Sequence, residues 1–202
     1  LHWVGSVGVG VCSLATEYFE APAITVMVGH FPENSFRVFS TIGKELKQFA
    51  RAHQEWYNHY QPMFGIVHGD PRNGRIPELI FQLSEHLGGT FLVGGLTSSR
   101  HQFLQIADDI TEGGISGVLF ANDIQVATRL TQGCSVIGPR HQVTECDNHV
   151  VIRLDNRAAL DVFKEDIGKE LANNLNKVSG LIFVGLPVVG SDTGDYVVRN
   201  LI

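Results

Sequence analysis

The sequence predicts an α+β fold of mixed, largely antiparallel β-sheets with helices packed on their faces. Three observations lead there. Short apolar runs bounded by Gly, Pro, Asn and Asp recur along most of the 202 residues, as strands and tight turns do. Only three stretches carry helical periodicity. Hairpin-like spacings outnumber regular strand–helix–strand alternation, which favours antiparallel pairing over a purely parallel sheet.

The elements follow in chain order. Residues 3–11 alternate apolar side chains with Gly5, Gly8 and Gly10, a strand pattern that lets another backbone approach closely. Residues 23–28 and 36–39 read as two further strands. From Gly43 onward Leu46, Phe49, Ala50, His53, Tyr57 and Tyr60 recur at helical spacing, and Pro62 ends the run. Residues 63–68 form a buried-looking strand before the turn signal GDPRNG at 69–74. Pro77 suits a first helical turn, and Ile76, Leu79, Ile80, Leu83 and Leu87 make one apolar stripe that Gly88 and Gly89 terminate. Strands are then expected over 90–93, 103–107, 115–121 and 125–131, with Asn122-Asp123 as the hairpin loop between the last two. Residues 143–146 and 150–154 flank Asp147-Asn148. The third helix spans 158–175, with Leu160, Phe163, Ile167, Leu171 and Leu175 on one side, and strands over 181–189 and 196–202 complete the chain.

Composition bounds the function. A formal net charge of −6 opposes a duplex-binding surface, which needs clustered cations to neutralise phosphates. Three cysteines, Cys12, Cys134 and Cys146, form no CxxC or CxxH pair, which fits a reducing, cytoplasmic setting better than a disulfide scaffold. No apolar run approaches a membrane span, so no membrane insertion is expected. Gly5, Gly8 and Gly10 lack the spacing and the following helix of a dinucleotide fingerprint, and no Walker-type loop occurs.

The chain is organised around residues 129–145, RLTQGCSVIGPRHQVTE. Gly133, Gly138 and Pro139 punctuate it, and Thr131, Gln132, Cys134 and Ser135 place small polar groups on a tight loop. Such a loop either presents backbone N–H groups to a ligand or only turns the chain. Asp70, after the strand at 64–68, either accepts hydrogen bonds from a ligand or caps the turn into the next helix. Cys134 is either a thiol activated by His141 or Arg140 or a small buried hydrophobe. Asp195 and Arg199 in SDTGDYVVRN either contact a ligand or form a surface ion pair. The glycine-rich segments VGSVGVG and LVGGLTSS echo one another, as two strand–turn units lining one cleft do or as recurrence of Val and Gly does. Nine histidines include no metal-binding spacing. Glu17, Glu20 and Glu33 form no carboxylate pair for acid–base work.

The string QGCSVIGPRHQVTE resembles the signature of the FIST family (F-box and intracellular signal transduction). Residues 3–27, HGDP at 68–71, VGGLTSS at 93–99, LDNRAALDVFKEDIG at 154–168 and GDYVVRN at 194–200 are similar to family segments in the same order. The resemblance implies a FIST N-like domain over 1–153 whose leading part is missing, followed by the start of a FIST C-like domain over 154–202. It also implies a non-catalytic, sensory function: a small ligand, an amino acid being one candidate, held by the glycine-rich loops, and a signalling protein partner that reads the bound state. The ligand-binding residues expected on this basis are Asp70, Gly94, Gly95, Ser98, Gly133, Cys134, Asp195 and Arg199. Two alternatives come with the family, a haem-binding gas sensor and a protein-recruiting scaffold. A hydrolase using Cys134 is a further reading.

Overall fold

The computed structural model describes residues 1–130, 133–188 and 194–201. Thr131, Gln132 and Asp192 of the loops above lie outside them, as do the ends of the strands expected to reach 131, 189 and 202. The chain divides into two compact units, Leu1–Val126 and Ala127–Ile202.

The first unit runs β1 (Val4–Ser6), β2 (Gly10–Ser13), β3 (Thr16–Phe19), β4 (Phe36–Ile42), α1 (Lys47–Tyr60), β5 (Phe64–Gly69), α2 (Ile76–His86), β6 (Phe91–Leu96), β7 (Gln105–Ala107), β8 (Asp109–Thr111) and β9 (Ile115–Phe120). Its main sheet has the order β4-β9-β5-β6. Strand β9 is antiparallel to both neighbours, whereas β5 and β6 are parallel and joined by α2. The sheet is therefore mixed, as expected. Phe39, Ile42, Val67, Ile115 and Leu119 pack from the sheet against Phe49 and Trp56 of α1 and Ile76, Leu79 and Leu83 of α2. Leu79 and Leu83 are wholly buried and contribute roughly 1.5–3 kcal/mol each.

Helix α1 ends where Gln61 turns left-handed (φ 41°) ahead of Pro62, and its N–H still reaches Tyr57 O. Gly88 and Gly89 both have positive φ after α2, the conformation that favours glycine there. A second sheet, β1-β7-β8, packs with β7 against β9 and β4. The fully buried Gln105 joins the two sheets: its Nε2 donates to Gly114 O at 3.2 Å, and its Oε1 accepts from Ser116 Oγ at 2.5 Å.

The second unit contains β10 (Val143–Asp147), β11 (Val150–Leu154), β12 (Arg157–Ala158), α3 (Ala159–Ala172), a 3-10 turn at Leu175–Lys177, β13 (Phe183–Pro187) and β14 (Tyr196–Asn200). Strands β10, β11 and β12 form one antiparallel sheet and β13-β14 a hairpin.

Several expectations need correction. The strand over 3–11 is two strands in two sheets: β1 pairs with β7 and β2 with β3. The break falls at Gly8, where a Cβ would meet Gly10 O at 2.7 Å. Residues 23–28 form no ladder, and Val26, Met27 and Val28 are exposed; β-propensity yields a strand only where a neighbour pairs with it. Residues 125–130 likewise do not pair back onto β9. Both edges of β9 are already occupied by β4 and β5, so no hairpin partner can join. Helix α3 buries Val162 and leaves Leu160 exposed. Gly168 departs from helical torsions (φ 79°, ψ 163°), so positions beyond it do not continue one stripe.

Candidate functional site

The polar groups of the first unit gather at the carboxyl ends of the parallel strands β5 and β6, where α/β folds usually place ligands. Thr97 N–H donates to Gly69 O at 2.8 Å, which holds the chain leaving β6 against the end of β5. The first glycine-rich segment meets the second there. Ser98 N–H donates to Val7 O at 3.1 Å, Val9 N–H donates to Ser98 Oγ at 3.2 Å, and Ser6 Oγ lies 2.9 Å from Thr97 Oγ1. Between them opens a surface cleft of about 390 Å³ lined by Gly8, Val9, Glu20, Ser99 and Arg100. Arg100 and Glu20 are ion-paired with each other at this cleft. Glu20 has φ 55°, an uncommon torsion for a residue with a side chain.

Directly after β5 the structure buries Asp70 completely. Its Oδ1 accepts from Arg72 N and Nε at 2.9 and 3.0 Å, and its Oδ2 from Arg72 Nη2 at 2.6 Å and Gly113 N at 2.9 Å. The Arg72 guanidinium is the main reason the carboxyl pKa drops to about 2, helped by both backbone N–H groups and opposed by burial. Arg72 also pairs with Glu112 at 2.8 Å and lies over the Phe103 ring, 4.9 Å from its centroid. Asn73 continues the network by donating to Gly43 O and Gly113 O, both at 2.8 Å. Asp70 thus organises the turn into α2 and orients a half-exposed guanidinium.

Gly94 and Gly95 are neighbours on β6 with opposite surroundings. A Cβ on Gly94 would stand 1.8 Å from Val67 O, at φ 150°; on Gly95 it would meet nothing within 4 Å. Gly94 serves the backbone, and Gly95 leaves the surface open.

In the second unit Tyr196 Oη donates to Cys134 O at 3.1 Å, which ties the loop carrying Gly133 and Cys134 to the start of β14. Asp195, adjacent to Tyr196, accepts Val188 N–H on its backbone oxygen at 2.9 Å. Arg199 is exposed farther along β14, opposite Val184. A Cβ on Gly133 would meet nothing within 4 Å. His141 lies between two carboxylates: Nδ1 is 2.6 Å from Asp155 Oδ2, and Nε2 is 2.9 Å from Asp166 Oδ2. Both ring nitrogens are engaged, so a base for the Cys134 thiol would have to come from elsewhere.

The carboxylates raise the His141 pKa above 6.5, Asp155 most strongly and against the effect of burial. A raised histidine pKa stabilises the fold below the unfolded value, and that stability is lost as pH rises through the folded value. An NMR titration is expected to place the His141 midpoint above 6.5 and, in Asp155→Asn, to bring it down; a wild-type midpoint at or below 6.5 would contradict the clamp.

Other histidines are placed differently. His53 lies 4.8 Å from the Phe49 ring. His68 stands opposite Gly95 and Ser116 with Nδ1 buried and unpartnered, and burial lowers its pKa. A haem needs an axial side chain facing an apolar pocket. The cleft described above is open and charged and has no histidine in its lining, so its own residues do not fit a haem. Among the described residues no group of three or more His, Cys, Asp or Glu is placed to hold a metal ion, and no helix is long and apolar enough to cross a membrane. The three cysteines are unpaired.

Arg72, Glu112, Glu20 and Arg100 were not expected at the site. Arg72 follows Asp70 by two residues, a spacing at which Asp can bond the backbone ahead, so it carried a local signal. The Glu20–Arg100 pair spans 80 residues and left none.

The family model of the FIST N domain matches residues 1–157. The chain belongs to the FIST family. FIST domains are sensory domains of signal transduction. A search of curated proteins and a search of solved structures each gave no match. The FIST N match thus extends through the whole first unit and into the second.

Proposed function

We propose that this FIST domain senses a small zwitterionic ligand, an amino acid, in the cleft between its two glycine-rich segments. The observation that carries this reading is the placement of Glu20 and Arg100 at one cleft walled by Gly8, Val9 and Ser99. A ligand carboxylate replaces Glu20 on the Arg100 guanidinium, which suits two parallel hydrogen bonds. The ligand ammonium takes the released Glu20 carboxylate. Ser98 Oγ accepts Val9 N–H and keeps its own hydrogen to donate. Asp70 and Gly94 hold the strand ends in register, and Gly95 leaves room beside them. Gly133, Cys134, Asp195 and Arg199 belong to the second unit and carry over from the family resemblance alone, as candidate ligand contacts of that unit by itself. Binding biases a conformational equilibrium only by its different affinity for two states, and a protein partner in the cytoplasm reads the result.

A thermal-shift panel of amino acids, small metabolites and haemin tests this. A ligand at about a hundred times its Kd adds roughly 2.7 kcal/mol, a rise of roughly 5 to 10 °C in a chain this size. Arg100→Ala is expected to abolish the rise while leaving the unliganded Tm nearly unchanged. An undiminished response in Arg100→Ala, or a response to haemin alone, would move the ligand elsewhere. A flat panel would favour the protein-recruiting scaffold.

A further inference from the structure

Among the described residues, strands β2 and β3 form a hairpin that joins no other sheet. All of β3 is exposed, and an isolated two-stranded hairpin is only marginally stable in water. Its turn weakens it further. Ser13 pairs with Thr16, so the loop consists of Leu14 and Ala15, and both have positive φ, 49° and 63°. A turn of that shape favours Asn-Gly, and residues with side chains adopt it at a cost.

The hairpin is therefore held at its two roots. Before β2, Val9 N–H donates to Ser98 Oγ. After β3, Glu20 pairs with Arg100, and residues 21–30 then run exposed and without a ladder. Both tethers end on the segment 98–100, which walls the Glu20–Arg100 cleft. Glu20 makes its contact with its backbone at φ 55°.

We infer that the Glu20–Arg100 pair is a latch that fastens the β2–β3 hairpin while the cleft is empty and that ligand binding opens. The inference rests on the amino-acid reading of the cleft. Without ligand, the Glu20 carboxylate occupies the guanidinium that the ligand carboxylate needs, so ligand and latch exclude each other. A bound amino acid parts the two side chains by its own span from carboxylate to ammonium, and the second root of the hairpin moves with Glu20. Release from the direct pair also lets Glu20 return to a common backbone torsion. An exposed ion pair is weak, which lets a small ligand compete with it. The two states that the ligand distinguishes are then the hairpin fastened and the hairpin displaced.

Amide hydrogen exchange over residues 10–19 reads the hairpin, with β5 and β9 as the internal reference. In the unliganded protein, Glu20→Gln is expected to exchange about two- to fivefold faster than the wild type over these residues, with the reference strands unchanged. Glu20→Arg combined with Arg100→Glu restores the pair with its charges exchanged and is expected to bring the hairpin back toward the wild-type rate. Equal rates in the wild type and Glu20→Gln, or a double variant no slower than the single one, overturn the latch. The amino acids of the thermal-shift panel are then added to the wild type, and those that raise Tm are expected to speed exchange in the hairpin. A raised Tm with an unmoved hairpin overturns the latch and leaves the amino-acid reading standing. A flat Tm panel overturns that reading, and the trigger of the latch with it, even where the unliganded variants behave as expected.

Discussion

Gly94→Ala is expected to destabilise the first unit by about 3 kcal/mol or more, whereas Gly95→Ala changes stability by no more than about 0.5 kcal/mol. The two residues are adjacent on the same strand, so strand propensity is shared, but they point to opposite faces of the sheet. What differs is the space. A methyl on Gly94 would lie 1.8 Å from Val67 O on the neighbouring strand, and the backbone there has φ 150°. Neither the carbonyl nor the torsion can give way without separating β5 from β6. A methyl on Gly95 has open space. Urea unfolding reads the contrast, with the Gly94→Ala midpoint lower by on the order of 1–2 M. Equal midpoints would mean that β6 slides or bends freely at this position. Because Gly95 faces the open side, Gly95→Ala also probes the ligand: a stable variant with a weakened thermal response places that side chain near the site.

Asp70→Ala is expected to cost about 3–5 kcal/mol, the range for breaking a buried charge pair. The substitution strands the N–H groups of Arg72 and Gly113 that Asp70 now accepts and frees the Arg72 guanidinium from its anchor. The pH dependence carries the same signature. Asp70 has its carboxyl pKa lowered from 3.8 to about 2, so its contribution is complete above the unfolded value and is lost as pH falls through the folded one. Discounted for the half-exposed guanidinium that causes most of the shift, the contribution is about 1–2 kcal/mol. The wild type should therefore lose stability between about pH 4 and pH 2, and Asp70→Asn should lose less over that interval. Parallel acid limbs for the two proteins would show that the carboxylate gains nothing from Arg72.

The architecture was legible where periodicity is local. The stripes of α1 and α2 follow from spacing, and Ile76, Leu79 and Leu83 are buried as that spacing requires. Apolar runs bounded by turn residues marked β5 and β9. Pairing was not legible, because it depends on which edges remain free. Residues 125–130 have strand composition, but β9 had no edge left to offer. Trp56 escaped the stripe of α1, although it is more buried than Tyr57 or Tyr60. At the candidate site, Asp70 and Gly94 were visible because a turn and a glycine block mark themselves in sequence. Arg72–Glu112 joins residues 40 apart and Arg100–Glu20 residues 80 apart. Contacts of that range arise from topology, and a single sequence carries no sign of them.

The insertion of β9 between β4 and β5 has a kinetic consequence. Strand β9 is the last of the four in chain order, yet β4 and β5 both pair with it and not with each other. A nascent chain that ends before Ile115 has β5, α2 and β6 as one local parallel unit and β4 with no partner in that sheet. The sheet cannot zip up from the N-terminus; it closes when β9 arrives, and the Asp70–Gly113 bond closes with it. Non-local pairing of this kind slows folding toward the millisecond-to-second range. Until then Phe39 and the apolar face of α1 wait in water, so the unit stays aggregation-prone until residues 115–120 are free to pair.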